Sequence, residues 1–166
     1  MDAIAFVLMN VKLAKGRVVV EAIRGVKGLI ASREITGPYD VMAVIEGEIN
    51  LTIGRMQELG QYGVMRAVTY VARDSFGDKE ALRGGAVVVA CMLMEVEVGK
   101  VDSVFGALEE RAKEEKAVMF GLKVFGLCDI ILLFPEGAVQ SLGYILNNLL
   151  AGVEGVRRTI TCFVVE

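Results

Sequence analysis

Two aspartates stand in matching surroundings, Gly37-Pro38-Tyr39-Asp40-Val41 and Gly126-Leu127-Cys128-Asp129-Ile130. Brought together, two carboxylates could act as an acid/base pair. The favoured roles are a turn aspartate bonded to nearby backbone, or one that meets a ligand. Arg66 and Arg158 also match each other, and a guanidinium fork suits a carboxylate. The plain alternative for these arginines is a solvated strand end. Thr69 and Thr161 match in the same stretches. Their hydroxyls would suit a polar cavity, although threonine is also a good strand former. Cys91, Cys128 and Cys162 read as small buried hydrophobes, and their odd number points to a reducing, cytoplasmic setting. Cys128 beside Asp129 has no visible base to make it a nucleophile.

The chain has no histidine. That removes the commonest general base and the Ser-His and Cys-His pairs. A four-ligand zinc site is nearly excluded as well. Neither GxGxxG nor GxxxxGK[ST] occurs. The expectation is therefore no catalytic residue, no metal site, no cofactor and no enzyme activity. The net charge is −3 and the 18 Lys and Arg are scattered. Direct binding to nucleic acid needs a concentrated basic face, so it is not expected. Although 54% of the residues are hydrophobic, apolar runs such as 86–94 and 130–134 are strand-sized. A transmembrane helix needs about 20 apolar residues, so no membrane association is expected. No signal peptide is visible either.

The elements that position these residues occur twice. Val7–Lys12 aligns with Met92–Glu97 at an offset of 85, and Gly37–Val41 with Gly126–Ile130 at 89. Gly63–Thr69 aligns with Gly155–Thr161 at an offset of 92. Order is kept and the offset only grows, as two short insertions in helical stretches would make it. Each copy reads strand, helix, strand, strand, helix, strand. In the first copy these are 3–11, 17–25, 30–36, 41–46, 49–59 and 64–72. In the second they are 86–98, 101–115, 117–124, 130–134, 138–151 and 156–165. Ile49, Ile53, Met56 and Leu59 share one face of a helix. The polar, glycine-ended stretch 73–85 reads as a linker.

βαββαβ is the ferredoxin-like order, an antiparallel sheet with helices on one face. The expected fold is thus α+β. Tandem ferredoxin-like modules occupy 1–74 and 86–166, with 75–85 between them. Both faces of the first strand, Ile4/Phe6/Leu8 and Ala5/Val7/Met9/Val11, are apolar. Helices cover one face only, so the two sheets are expected to pack face to face as an internal pseudo-dimer, in the manner of a dimeric α/β barrel; the alternative is that the copies lie side by side and each pairs with a copy from another chain. Remaining apolar surface favours a homo-oligomer.

AFVLMNV, REITGPYDVMAVIEG and GVMRAVTYV, in that order, resemble the effector-binding (RAM, ACT-like) domain of the Lrp/AsnC transcription regulators. The resemblance covers nearly the whole chain, with Leu127 and Cys128 where the first copy has Pro38 and Tyr39. It implies binding of a small molecule, an amino acid, at contacts between modules. The ligand residues would be Thr36, Gly37, Tyr39 and Asp40, their counterparts Gly126 and Asp129, and Thr69 and Thr161. Such regulators place a helix-turn-helix domain before this module. Here the first strand starts within a few residues of Met1. The expected function is a stand-alone amino-acid sensor, acting through oligomeric assembly or by co-assembly with a DNA-binding Lrp/AsnC-type regulator. The alternative is a structural or partner-binding protein that modulates assembly of related regulators without a ligand. An enzyme is the third reading, since paired ferredoxin-like modules also host monooxygenases and isomerases.

Overall fold

The computed structural model describes residues 3–137 and 142–165. The second helix of the second copy was expected to begin at 138, and residues 138–141 lie outside the described residues. The chain divides into two compact units. The first is Met1–Ala72 together with Cys162–Glu166, and the second is Arg73–Thr161.

In the first unit, β1 (Ala3–Val11), α1 (Gly16–Ile23), β2 (Leu29–Glu34), β3 (Val41–Gly47), α2 (Ile49–Glu58) and β4 (Val64–Gly77) follow in order, with a short 3-10 turn at Leu59–Tyr62. β4 crosses into the second unit at Arg73. Strands lie in the order β2-β3-β1-β4. Pairing is antiparallel, with Val7 opposite Ala43 and Thr69, and Met9 opposite Val41 and Ala67. Side chains alternate across a strand. Val7, Met9, Val11, Val41, Ala43 and Ile45 therefore form one sheet face, which packs on Val19 and Ile23 of α1 and on Met56 and Leu59. Burying each such aliphatic side chain contributes about 1.5–3 kcal/mol. The alternate residues Phe6, Leu8, Met42 and Val44 are fully buried too.

The second unit holds α3 (Lys79–Arg83), β5 (Val88–Val96), α4 (Val101–Glu115), β6 (Phe120–Val124), β7 (Ile130–Pro135), α5 (Leu142–Leu150) and all but the last two residues of β8 (Val156–Phe163). Its order, β6-β7-β5-β8, repeats that of the first unit. Met92 and Met94 of β5 stand opposite Leu132 and Ile130 of β7. These four pack with Val104, Phe105, Leu108 and Ala112 of α4. The α+β class and the antiparallel pairing are as expected from sequence.

Two expectations change. Residues 73–77 continue β4, and α3 follows them, where the sequence reads as a linker. Phe76 enters the second unit's core. In α2, Thr52 and not Ile53 is buried. The Thr52 hydroxyl donates to the Glu48 carbonyl at 3.1 Å, which satisfies it without water. Ile53 is left 40% exposed.

Candidate ligand-binding groove

Each matched aspartate ties a hairpin to the end of its unit's first strand. The Asp40 amide donates to the Met9 carbonyl at 2.9 Å, and the Ile35 amide donates to the Asp40 carbonyl at 2.8 Å. Asp40 Oδ2 accepts from the Val11 amide at 2.9 Å. Asp129 repeats this set. Its amide donates to the Met94 carbonyl at 2.9 Å, and its carbonyl accepts from the Val124 amide at 2.9 Å. Its Oδ2 accepts from the Val96 amide at 2.8 Å. An ionised carboxylate only accepts, and its bonds to amides are charge-assisted.

The adjoining turns are committed as well. The Thr36 amide donates to the Phe163 carbonyl at 2.8 Å. The Asn10 side-chain amide donates to the Pro38 carbonyl at 2.8 Å. Gly37 has φ +120°, and a Cβ there would lie 3.2 Å from Cys162 Sγ. The glycine therefore serves a positive φ and a close approach within the first unit. Tyr39 is half-buried and Gly126 exposed. In the second copy the Arg73 guanidinium lies 4.3 Å from the centre of the Phe125 ring. The structure thus gathers Thr36, Gly37, Tyr39 and Asp40 in one turn, and Gly126 and Asp129 in its counterpart. Thr69 lies elsewhere, opposite Val7 in mid-strand. Thr161 is half-buried on β8.

Thr69 instead lines a groove of about 320 Å³ between α2 and β4, with Ile53, Met56, Gln57, Met65 and Arg66. Its geometry follows from an irregularity in β4. Arg66 pairs with Asn10 but Val64 pairs with Val11, so Met65 has no partner opposite it. A bulge of this kind re-aims a side chain. Met65 is 65% exposed. The register puts Thr69 and Ala67 on the helix-facing side of β4 and Arg66 on the other, so Arg66 borders the groove from the strand edge. Arg66 is the one ionisable group among the lining residues. A second groove, of about 330 Å³, contains Asp40 but also Glu34, Lys12 and Leu13. Sequence matching singled out Arg66 and Thr69. It missed Ile53, Gln57 and Met65, because the bulge and the rotation of α2 are set by packing.

No family model matches this chain, and no curated protein matches it. Solved structures share its fold. Siroheme decarboxylase NirDL aligns over 99% of this chain and 72% of its own, with a TM-score of 0.70 at 10% identity. Its co-complex with an iron-uroporphyrin III analogue aligns equally well. A chlorite dismutase-like protein aligns over 100% of this chain and 96% of its own, with a TM-score of 0.64 at 11% identity. An anthrone oxidase-like protein reaches a TM-score of 0.53 at 11% identity over 99% of this chain and 91% of its own. At such identities the likeness is one of fold.

These neighbours overturn the resemblance to Lrp/AsnC effector domains. With it go the amino-acid sensor, the ligand-free assembly partner and the link to transcription control. The physical reason lies in the motif. The TG-x-YD turn bonds a hairpin to the end of β1, a task of the fold, so the pattern does not single out one family. Among the described residues no helix is long and apolar enough to cross a membrane.

Proposed function

We propose that this chain binds a carboxylate-bearing tetrapyrrole on the α2–β4 groove of the first unit and holds it without turnover. The observation that carries the proposal is the groove's make-up, an apolar wall with a lone cation at its rim. Ile53 and Met65 offer apolar surface to a macrocycle, and Arg66 offers a fork to one of its carboxylates. Gln57 and Thr69 add polar contacts. The whole-chain likeness to a siroheme decarboxylase, crystallised also with an iron-uroporphyrin III analogue, supports this ligand class.

The donor set fits the group in part. Apolar wall, cation and thioether are present, while the chain has no imidazole to offer a metal. A bound iron tetrapyrrole would supply Lewis-acid and redox chemistry. The lining side chains themselves would bind and orient it. A guanidinium does not exchange protons near neutral pH, so the groove supplies no acid or base of its own. This departs from the expectation of no cofactor and keeps that of no enzyme activity.

Fluorescence titration with metal-free uroporphyrin III tests the reading. Saturable binding is expected. Arg66→Glu should weaken it about fivefold, corresponding to roughly 1 kcal/mol for an exposed ion pair. Ile53→Asp should weaken it about tenfold, near 1.4 kcal/mol of lost apolar contact. No binding, or binding indifferent to both changes, sinks it. We also propose, from the apolar character of both faces of β1, that the two modules pair through their sheets. Chemical unfolding in one cooperative transition, against two separate ones, tests that.

A further inference from the structure

We propose that the loop from Lys12 to Arg17 is a docking surface for an anionic lipid bilayer. This goes beyond the groove reading and does not depend on it. The contrast between the two copies of the loop carries the inference.

The loop is built alike in both units. Between β1 and α1, the Lys12 amide donates to the Gly63 carbonyl at 2.9 Å and the Lys15 amide to the Lys12 carbonyl at 3.0 Å. Between β5 and α4, the Glu97 amide donates to the Gly155 carbonyl at 2.8 Å and the Lys100 amide to the Glu97 carbonyl at 3.0 Å. Ala14 has φ +62° where Gly99 has φ +85°, so the turn is kept even without glycine. Each turn holds an aliphatic side chain clear of its unit. Leu13 is 98% exposed and Val98 100%. Exposure therefore does not distinguish the two loops.

Charge does. The second loop carries Glu97, Lys100 and Asp102. Glu97 Oε2 lies 2.9 Å from Lys100 Nζ, and Asp102 Oδ1 lies 2.8 Å from Lys123 Nζ. Every charge of that loop is answered. At the matching positions the first loop carries Lys12, Lys15 and Arg17. All three are exposed, and among the described residues none of them forms an ion pair. Two carboxylates stand behind this loop. Asp40 is committed to the Val11 amide, and Glu34 is half-buried beside Gly16. Three unanswered cations thus flank an apolar tip whose counterpart is charge-paired.

Unpaired cations call for an anionic partner, and the surroundings of Leu13 decide its kind. The groove beside the loop is lined by Glu34 and Asp40, which repel a compact anion. Leu13 itself stands clear of the unit and suits a surface that is charged outside and apolar beneath. Each cation near an anionic leaflet is worth about fivefold in affinity. A leucine adds to this by leaving water for the acyl boundary. Such contact needs no spanning helix, and it departs from the expectation of no membrane association.

Cosedimentation of the full chain with lipid vesicles tests this. Wild-type protein should pellet with phosphatidylcholine vesicles that hold about 30% phosphatidylserine, and stay in solution with pure phosphatidylcholine. Salt of about 1 M, which screens charges within roughly 3 Å, should release it. Lys12→Glu introduces the glutamate–lysine pair of the second copy and should weaken binding at least about tenfold. Leu13→Ser keeps every charge and should weaken it about fivefold. Val98→Ser should stay within about twofold of wild type. Absence of binding to the anionic vesicles overturns the inference, as does binding that Lys12→Glu and Leu13→Ser leave unchanged. Binding to a polyglutamate peptide and not to the vesicles overturns it too, and assigns the loop to an acidic protein. Each of these outcomes is separate from tetrapyrrole binding.

Discussion

In the second unit the end of β4 is held by an aromatic ring, whereas in the first the end of β8 is held by backbone. Phe76 is buried, and its ring centre lies 5.2 Å from that of Phe105 in α4. Gly121 of β6 leaves it room, because a Cβ there would overlap the Cε1 and Cζ edge of the Phe76 ring. The corresponding closing segment of the first unit carries Cys162 against Gly37. Its other ties are the Thr36–Phe163 bond at 2.8 Å and a bond from the Val165 amide to the Glu34 carbonyl at 2.8 Å. One segment is thus anchored by a large apolar side chain, which acts in bulk. The other is anchored by ladder bonds, each worth about 0.5–1.5 kcal/mol net. The same extension of a strand is stabilised by two kinds of force.

Truncation separates the two anchors. Phe76→Ala should cost about 3–5 kcal/mol in urea unfolding, and Cys162→Ala about 1 kcal/mol. Comparable losses would break the contrast. Gly121→Ala sharpens it, since alone it should cost about 1–3 kcal/mol through overpacking. Combined with Phe76→Ala it should cost much less, because the new methyl enters vacated space. Strict additivity in that double-mutant cycle would mean that the ring does not hold the segment.

The matched aspartates predict equality where the closing segments predict difference. Asp40→Ala and Asp129→Ala should each cost about 1.5–3 kcal/mol, the worth of a charge-assisted bond to an amide. The asparagine variants should lose less, since they keep an acceptor. Unequal costs measured by denaturant unfolding would show that one copy has released its carboxylate for another use.

The smallest effect concerns charge. Lys123 Nζ lies 2.8 Å from Asp102 Oδ1 at the start of α4. The matching positions of the first copy are Glu34 and Arg17, with the signs exchanged. There Glu34 lies over the first residue of α1, and a Cβ on Gly16 would stand 2.6 Å from Glu34 Oε1. The hydrogen bond from Lys123, and then its charge, hold the Asp102 carboxyl below its ordinary range. A lowered folded-state pKa stabilises the fold above the unfolded value, about 3.9. That stability is lost as pH falls through the folded value. Asp102→Asn should therefore flatten the acid limb of a Tm-against-pH curve slightly, because the Asp102 side chain is 80% exposed. A large change on that limb would contradict the assignment.

Much of this architecture was legible beforehand, for reasons that are local. The continuous apolar run in 3–11 reflects burial of both strand faces, and the helical spacing of Val19 and Ile23 reflects burial of one helix face, which leaves a period. The tandem copies show because the same core must be filled twice. The stretch 73–77 was not legible. Arg73, Asp74 and Ser75 carry no strand pattern, and their state follows from pairing near Met119, to which the Asp78 amide donates at 3.1 Å. Nor could spacing alone choose Thr52 over Ile53 for the core.

By itself, then, the sequence determined the α+β class, most of the order of elements and the lack of histidine in the chain. Each of these depends on residue types and on periods shorter than a helix. Only the tertiary structure decided which of these groups the fold itself uses and which it leaves at the surface. Asp40 is answered by an amide 29 positions earlier. Met65 is left outside the ladder by a register shift between β1 and β4. Bonds between distant segments leave no local period, and so the family resemblance followed a turn that the fold itself requires.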